Sequence, residues 1–360
     1  MTTASKPHLN LVINPGSTST KLGVFSDSNH LASVTVRHTQ EELSGFSRVY
    51  EEREFRTRTV IGALEELGYE PASFDGVIAI AGRLKPGPSG AYYVNEAMLE
   101  DMRTAKYREH ASNLGALIAW DIAALSGTRA LVADAVTSDE MIDEARLSGM
   151  PELERHSACH VVNQKRMARR AATEMGLRYD EVRLIVCHLG GGISVVAHRY
   201  GRMVDGNVPM GEGPFCIDRS GSLNSFELAE LCYSGKYTRK EMLHKIRGGG
   251  GVSAYLNTRD FRDVCSKMNA GDALARRVFD AMAYQVSREI GAAAVSAGGP
   301  DAIVLTGGMA NSRELVEAIS ERVSFLGPIY VYPGEEELEA LNDYLVLAER
   351  GEITPMSYGE

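Results

Sequence analysis

A chain of 360 residues is long enough for two domains of ordinary size, each with its own core. Its 44% hydrophobic and 24% charged residues describe a soluble globular protein, and its net charge of −10 argues against nucleic acid or an anionic membrane as partner. A small anionic substrate stays open, because a few local arginines reverse the field inside a cleft.

The cysteines, Cys159, Cys187, Cys216, Cys232 and Cys265, are scattered without a C-x-x-C pair, which argues against a disulfide framework and a zinc site and for reduced thiols. The stretch Met1–Asn10 has one lysine and no apolar core, so no signal peptide is expected there. No apolar run approaches the roughly 18 residues that span a bilayer. A cytoplasmic location is the expectation.

In chain order, Leu9-Asn10-Leu11-Val12-Ile13 is an apolar run stopped by Asn14-Pro15-Gly16, and Lys21–Phe25 follows as a second strand. Asp75–Ala81 and Arg129–Ala133 are further short strands. Helices are expected over Glu51–Leu67, closed by Gly68, and over His110–Leu125, closed near Gly127. Near mid-chain the opening pattern recurs as Leu184–Cys187, then Gly190-Gly191-Gly192, then Ile193–Ala197. A repeat of this length points to two domains of like topology rather than a solenoid, with a ligand cleft between them. Further helices are expected near Ser225–Cys232, Arg239–Ile246 and Asp272–Ser296. A strand at Ala302–Leu305 turns at Thr306-Gly307-Gly308 into a helix where Asn311 and Glu314 have capping-box spacing, and a last helix spans Glu335–Glu349. Strands alternating with helices place the fold in the α/β class.

Three glycine-rich turns follow strands. In Asn14-Pro15-Gly16-Ser17-Thr18-Ser19-Thr20-Lys21, small residues bare backbone N–H groups while hydroxyls and Lys21 add donors and charge, which suits a phosphate chain. It is not a Walker loop, since Thr20 rather than glycine precedes Lys21 and a strand follows. His188-Leu189-Gly190-Gly191-Gly192 lets the backbone approach a ligand closely, and Thr306-Gly307-Gly308-Met309-Ala310-Asn311 opens a helix whose N-terminus suits an anion or a flat base. Each turn alone also fits an ordinary hairpin or strand-to-helix turn; the three together favour a nucleotide cleft.

With Gly211-Glu212-Gly213-Pro214-Phe215, Asp218-Arg219-Ser220-Gly221 and Tyr332-Pro333-Gly334-Glu335-Glu336-Glu337, these segments resemble the acetate and sugar kinase, Hsp70 and actin superfamily. Within it the chain is most similar to the butyrate-kinase branch of the carboxylate kinases (the acetokinase family); acetate kinases usually carry alanine at the position of Pro15. The resemblance implies two duplicated ribonuclease H-like, actin-like ATPase domains with an interdomain ATP cleft. Residues 1–152 with 340–360 would form the acyl- and phosphate-side domain and 153–339 the nucleotide-binding domain. It implies ATP/ADP and Mg²⁺ as cofactors, a short-chain fatty acid and its acyl phosphate as substrates, and a homodimer or larger homo-oligomer. Acetate, propionate or a branched acid as acceptor, or an actin-like ATPase without a metabolic substrate, are the alternatives.

The resemblance also implies roles. Asn14, Ser17, Ser19 and Lys21 would lie near phosphates and metal. Arg83 and Arg219 would bracket carboxylate and phosphoryl group. Asp134 would hold Mg²⁺ through water with Glu336 and Asn14 helping. Gly190, Gly191 and Gly192 would approach the ATP phosphates, while Asp260, Phe261, Arg262, Gly307, Gly308 and Asn311 would hold the adenosine. His110 would lie near the acid. His156 would act as a transition-state donor as in acetate kinases, where histidines stand at the positions of both His156 and His160. Such chemistry needs arginines more than a base: a carboxylate is already a nucleophile at neutral pH, and the difficulty lies in bringing two anions together. Ordinary alternatives stay open, namely surface ion pairs for Arg83 and Arg219, helix caps for Asp134 and Asp260, a helix-start histidine for His110 and a solvated helix N-terminus for Glu336.

Overall fold

The computed structural model describes residues 6–359; the first half of the Met1–Asn10 stretch lies outside the described residues. The chain forms two compact units, one made of residues up to Ser138 together with those from Glu336, the other of Asp139–Glu335.

Unit one holds β1 (Leu9–Pro15), β2 (Ser19–Ser26), β3 (Asn29–Arg37), β4 (Gly76–Ile80), β5 (Ala91–Tyr93) and β6 (Ala130–Ala133). Unit two holds β7 (Arg183–Leu189), β8 (Ile193–Arg199), β9 (Arg202–Gly206), β10 (Ala302–Gly307) and β11 (Ile329–Pro333). The central order is β6-β4-β1-β2-β3 in the first and β11-β10-β7-β8-β9 in the second. In each, the first three strands pair antiparallel and the next two add parallel to the first. The half-chain repeat legible in the sequence is therefore a repeat of topology. Unit one extends its sheet with β5 and the short strand Met356–Ser357.

Burial follows strand position. Central β1 and β7 are apolar and almost wholly covered, as strands between two layers must be, whereas edge strand β3 is nowhere fully buried. In unit two the long helix Ala273–Ala297, started by Asp272 and ended by left-handed Gly298, lays Val278, Met282, Val286 and Ile290 on one sheet face. The helix Val161–Glu174 covers the opposite face against β7 and β10. In unit one the helix Asn113–Ser126 packs over Leu11, Ile13, Val77 and Ala79. The helix Glu337–Glu349 takes the other face, where Asn10 donates to Asn342 at 3.2 Å. Among the described residues no helix is long and apolar enough to cross a membrane.

The boundary expected near Pro151 lies earlier. Residues 139–152 belong to unit two because their bonds run there: Ile142 N–H donates to Val204 C=O at 3.0 Å, and the Glu140 carboxylate pairs with buried Lys165 at 2.7 Å. Residues 336–339 fall in unit one, with the helix they begin. The helix expected from Asn311 is Arg313–Val323, and Ser312 caps it through Leu315 N–H; Asn311 sits instead in a 3-10 turn after left-handed Gly307.

Two glycines set how closely the Asn113 helix meets β4. A Cβ on Gly115 would lie 2.4 Å from Ile80 O, and one on Gly82 would lie 2.6 Å from Asn113 Cα. Since both obstacles are backbone, we expect Gly115→Ala to destabilise by about 1–3 kcal/mol. Gly127→Ala, with open space around it but φ +70°, should cost only about 1–2 kcal/mol. Urea midpoints of the two variants check this.

Candidate active site

In unit two, β7 and β8 are joined by the Gly190–Gly192 turn, closed by Gly190 N–H to Gly192 C=O at 3.1 Å. This turn forms one wall of a cavity of about 770 Å³, inside the roughly 300–1,000 Å³ range of small-molecule sites. Gly190, Gly191, Asp260, Phe261, Arg262, Gly308 and Asn311, all singled out in the sequence, line it together. Met309, Glu314 and Cys265, named in the sequence only as a turn residue, a capping partner and a thiol, line it too, together with Ile217 and Ser312, which carried no sequence signal of their own. Asp260 also caps the helix Phe261–Asn269, and the Arg262 guanidinium, then its backbone N–H, holds the Asp260 carboxyl down to about 2. Gly307 stands behind the wall, where a Cβ would meet Leu189 O at 2.4 Å.

Gly192 faces Arg219 instead. A Cβ there would lie 2.5 Å from Arg219 Nη1, so the bare glycine lets the turn rest on the guanidinium. Arg219 is held by its backbone: its C=O accepts from Cys216 N–H at 3.1 Å, and it bridges antiparallel to Arg247. Its Nη1 donates to Pro209 C=O at 3.2 Å, yet its Nε–H is buried without a hydrogen-bond partner. The Asp218 carboxylate stands 3.7 Å away, outside hydrogen-bond reach. A buried cationic donor left open is an anion-seeking feature.

Two histidines stack beside it, His160 on His188 with ring centroids 3.9 Å apart. His188, at the end of β7, is fixed by Asn163 Oδ1 at 2.8 Å and approached by Glu335 Oε1 at 3.4 Å. His160 bonds Ser194 Oγ at 2.8 Å. Burial first, then the His188 charge, pushes His160 down from 6.5 to about 3. His156 is exposed. The structure thus places His160 and His188 next to one another, and His156 on the surface; His188 belonged to a motif but had drawn no role.

In unit one, Asn14 on β1 lies directly opposite Lys21 on β2, with the turn carrying Ser17 and Ser19 between them. Asn14 Nδ2 donates to Glu337 Oε2 at 2.6 Å, which brings the third of the consecutive glutamates to that strand end. Arg83 follows β4, its N–H held by Asn113 Oδ1 at 2.8 Å. His110 accepts Ser112 N–H at 3.2 Å just before the Asn113 helix, an ordinary helix-start arrangement. Asp134 follows β6 in the left-handed region at φ +49°, unusual for a residue other than glycine. Ser89 Oγ at 2.6 Å, Gly90 N–H at 3.1 Å and Tyr344 O–H at 2.8 Å donate to its buried carboxylate and overcome the strain. Asp134 caps no helix. Arg56, unremarked in the sequence, is wholly buried under the Asn14–Lys21 turn.

These two units, each built on one strand order with a glycine-rich turn after its first strand, are those of a duplicated actin-like ATPase fold. The crystal structure of Porphyromonas gingivalis acetate kinase shares that fold, with a TM-score of 0.78 over 95% of this chain and 100% of that one at 18% identity. The acetokinase family profile matches residues 150–345. Butyrate kinase 2 of Clostridium acetobutylicum is 46% identical over 92% of this chain and 94% of its own length, and butyrate kinase 1 of the same organism is 42% identical over 97% and 99%. The chain belongs to the acetokinase family.

His160, enclosed enough to be held neutral, makes stability depend on pH. His160 binds a proton in the unfolded chain below 6.5 but in the native state only near 3, so stability is complete above pH 6.5 and falls as the pH drops between those values. We expect this residue to contribute a loss of about 1.4 kcal/mol per pH unit in that window. Urea titrations at several pH values should give a shallower acid slope for His160→Asn than for the wild type; parallel slopes would contradict the assignment.

Proposed function

We propose that this chain is a butyrate-type carboxylate kinase, which moves the terminal phosphoryl group of ATP onto the carboxylate of a short-chain fatty acid, giving ADP and an acyl phosphate, and runs in reverse. The observation that supports the reaction class is Arg219, a partly buried guanidinium whose Nε–H is buried without a hydrogen-bond partner, pressed against a glycine turn that walls a nucleotide-sized cavity. The relatives named butyrate kinase support the acceptor.

The residues take their roles from this arrangement. The cavity walled by Gly190, Gly191, Phe261 and Gly308 takes the adenosine, with Asn311 and the Asp260–Arg262 pair at its rim. Arg219 meets the transferring phosphoryl group, whose equatorial oxygens gain charge-assisted bonds without any proton transfer. His160 stays neutral at physiological pH, so it adds no competing charge beside Arg219. In unit one the Ser17–Ser19 turn and Lys21 serve the phosphates and Arg83 the acid. An acyl phosphate is a high-energy donor, so ATP formation is chemically easy.

Mg²⁺ fits the donor set. Among the described residues no group of three or more acidic, His or Cys side chains is placed to hold a metal ion, so those residues offer no all-protein cage. Mg²⁺ commonly uses one or two carboxylates together with waters and nucleotide phosphates. Asp134 has one of about four carboxylate acceptor sites left after its three donors, and the Asn14–Glu337 pair supplies a second oxygen group. The ion would screen phosphate charge as the two anions meet. Action in the cytoplasm and assembly as a homodimer or larger homo-oligomer belong to the same proposal.

A coupled ADP-release assay over linear acids of two to six carbons tests it. Turnover should peak at four carbons, with each neighbouring length disfavoured by no more than about 10- to 200-fold, the range for one methylene. A peak at two carbons would make acetate the acceptor, and no turnover with any acid would remove the reading.

A further inference from the structure

We propose that Arg56 is the positioning residue that shapes the Pro15–Ser19 turn into a cradle for a phosphoryl group, an inference that rests on the kinase reading above. Arg56 comes from the helix Arg53–Glu66, and its side chain is 0% exposed. Its Nη1 donates to Gly16 C=O at 3.2 Å, Ser19 C=O at 3.2 Å and Thr20 Oγ1 at 3.1 Å. Its Nη2 donates to Ser17 C=O at 3.0 Å and its Nε to Glu52 Oε2 at 2.9 Å. Glu52, one turn earlier, supplies the counter-charge, at 2.7 Å from Nη2. A buried charge is tolerated only when paired and hydrogen-bonded, and here all three nitrogens are engaged.

The consequence lies on the far side of the peptides. A trans peptide points its N–H opposite to its C=O. With the carbonyls of Gly16 and Ser17 drawn inward to Arg56, the N–H groups of Ser17 and Thr18 face outward, and both residues are exposed. Gly16 N–H is consumed by Ser19 C=O at 2.7 Å, which locks the turn. Two successive outward amides form a concavity that binds oxyanions, here flanked by Asn14 and Lys21 on the two strands. Thr20, which accepts from Arg56, also bonds His38 Nε2 at 3.0 Å, so the anchor extends to the end of β3. The ligand class is a tetrahedral phosphoryl group, as carried by ATP or an acyl phosphate. A lysine at this position would keep the charge but not the planar fork that reaches five acceptors at once.

Arg56→Lys separates positioning from folding. With wild-type turnover established, the variant should lose about 10- to 100-fold in kcat in both directions, while its ADP affinity stays within about twofold, the signature of a displaced loop. Unchanged kcat, or ADP affinity falling in step with kcat, overturns the proposal. Amide hydrogen exchange on the wild-type protein decides it if the variant does not fold. Ser17 and Thr18 amides should exchange freely in the unliganded protein and slow by about tenfold or more with ATP. Amides already protected without ligand, or unmoved by it, overturn the proposal. Absence of turnover in the wild type with every acid contradicts the kinase reading instead, and the exchange measurement with ATP still tests the cradle.

Discussion

Two anions repel, and an enzyme that joins them must hold positive charge where water cannot screen it. In this protein, whose net charge is −10, the group proposed for that task is Arg219, whose Nε–H is buried without a hydrogen-bond partner. Its backbone is bonded on both sides, its side chain is packed against Gly192, and one N–H is kept open inside the protein. An open donor of that kind costs stability in the free protein and is offset when an oxyanion arrives. Arg56 is the contrast: more deeply buried than Arg219, it has every nitrogen hydrogen-bonded, four of its acceptors being in the turn above it.

Close approach is the second constraint. Glycine at 192 lets a turn rest on the guanidinium, glycine at 307 lets β10 pass the end of β7, and glycines at 82 and 115 let the Asn113 helix sit against β4, just where Arg83 leaves the strand. Each removes a Cβ that would collide with something already placed. The repeated strand order puts a turn of small residues after the first strand of each unit.

Much of this was legible in the sequence, for reasons that are local. The strands around Asn14-Pro15-Gly16 and Gly190-Gly191-Gly192 are short apolar runs ended by turn residues, so their pairing and the repeat could be read directly. The cavity of unit two was legible because several of its wall residues sit in glycine turns or at helix starts. What escaped depends on distant partners. The segment 139–152 joins unit two through Val204 and Lys165, far away in the chain. The cap at Ser312 differs from the expected Asn311 by one residue, because a 3-10 turn intervenes before the helix. The bond of Glu337 to Asn14 likewise joins a helix start to a strand end more than 300 positions earlier. In Glu52–Arg56 the spacing is that of a surface ion pair, and only the fold shows the guanidinium sunk beneath a turn some 40 residues earlier. His188 was visible as a motif residue, but its stacking on His160 brings together groups 28 positions apart.

The most direct test of this account is the pre-steady-state and steady-state behaviour of Arg219→Ala with ATP and butyrate, measured beside its affinity for ADP. If the open guanidinium stabilises charge in the transferring group, kcat falls by about 10²- to 10³-fold while ADP binds almost as before. Wild-type phosphoryl transfer in that variant would contradict the account.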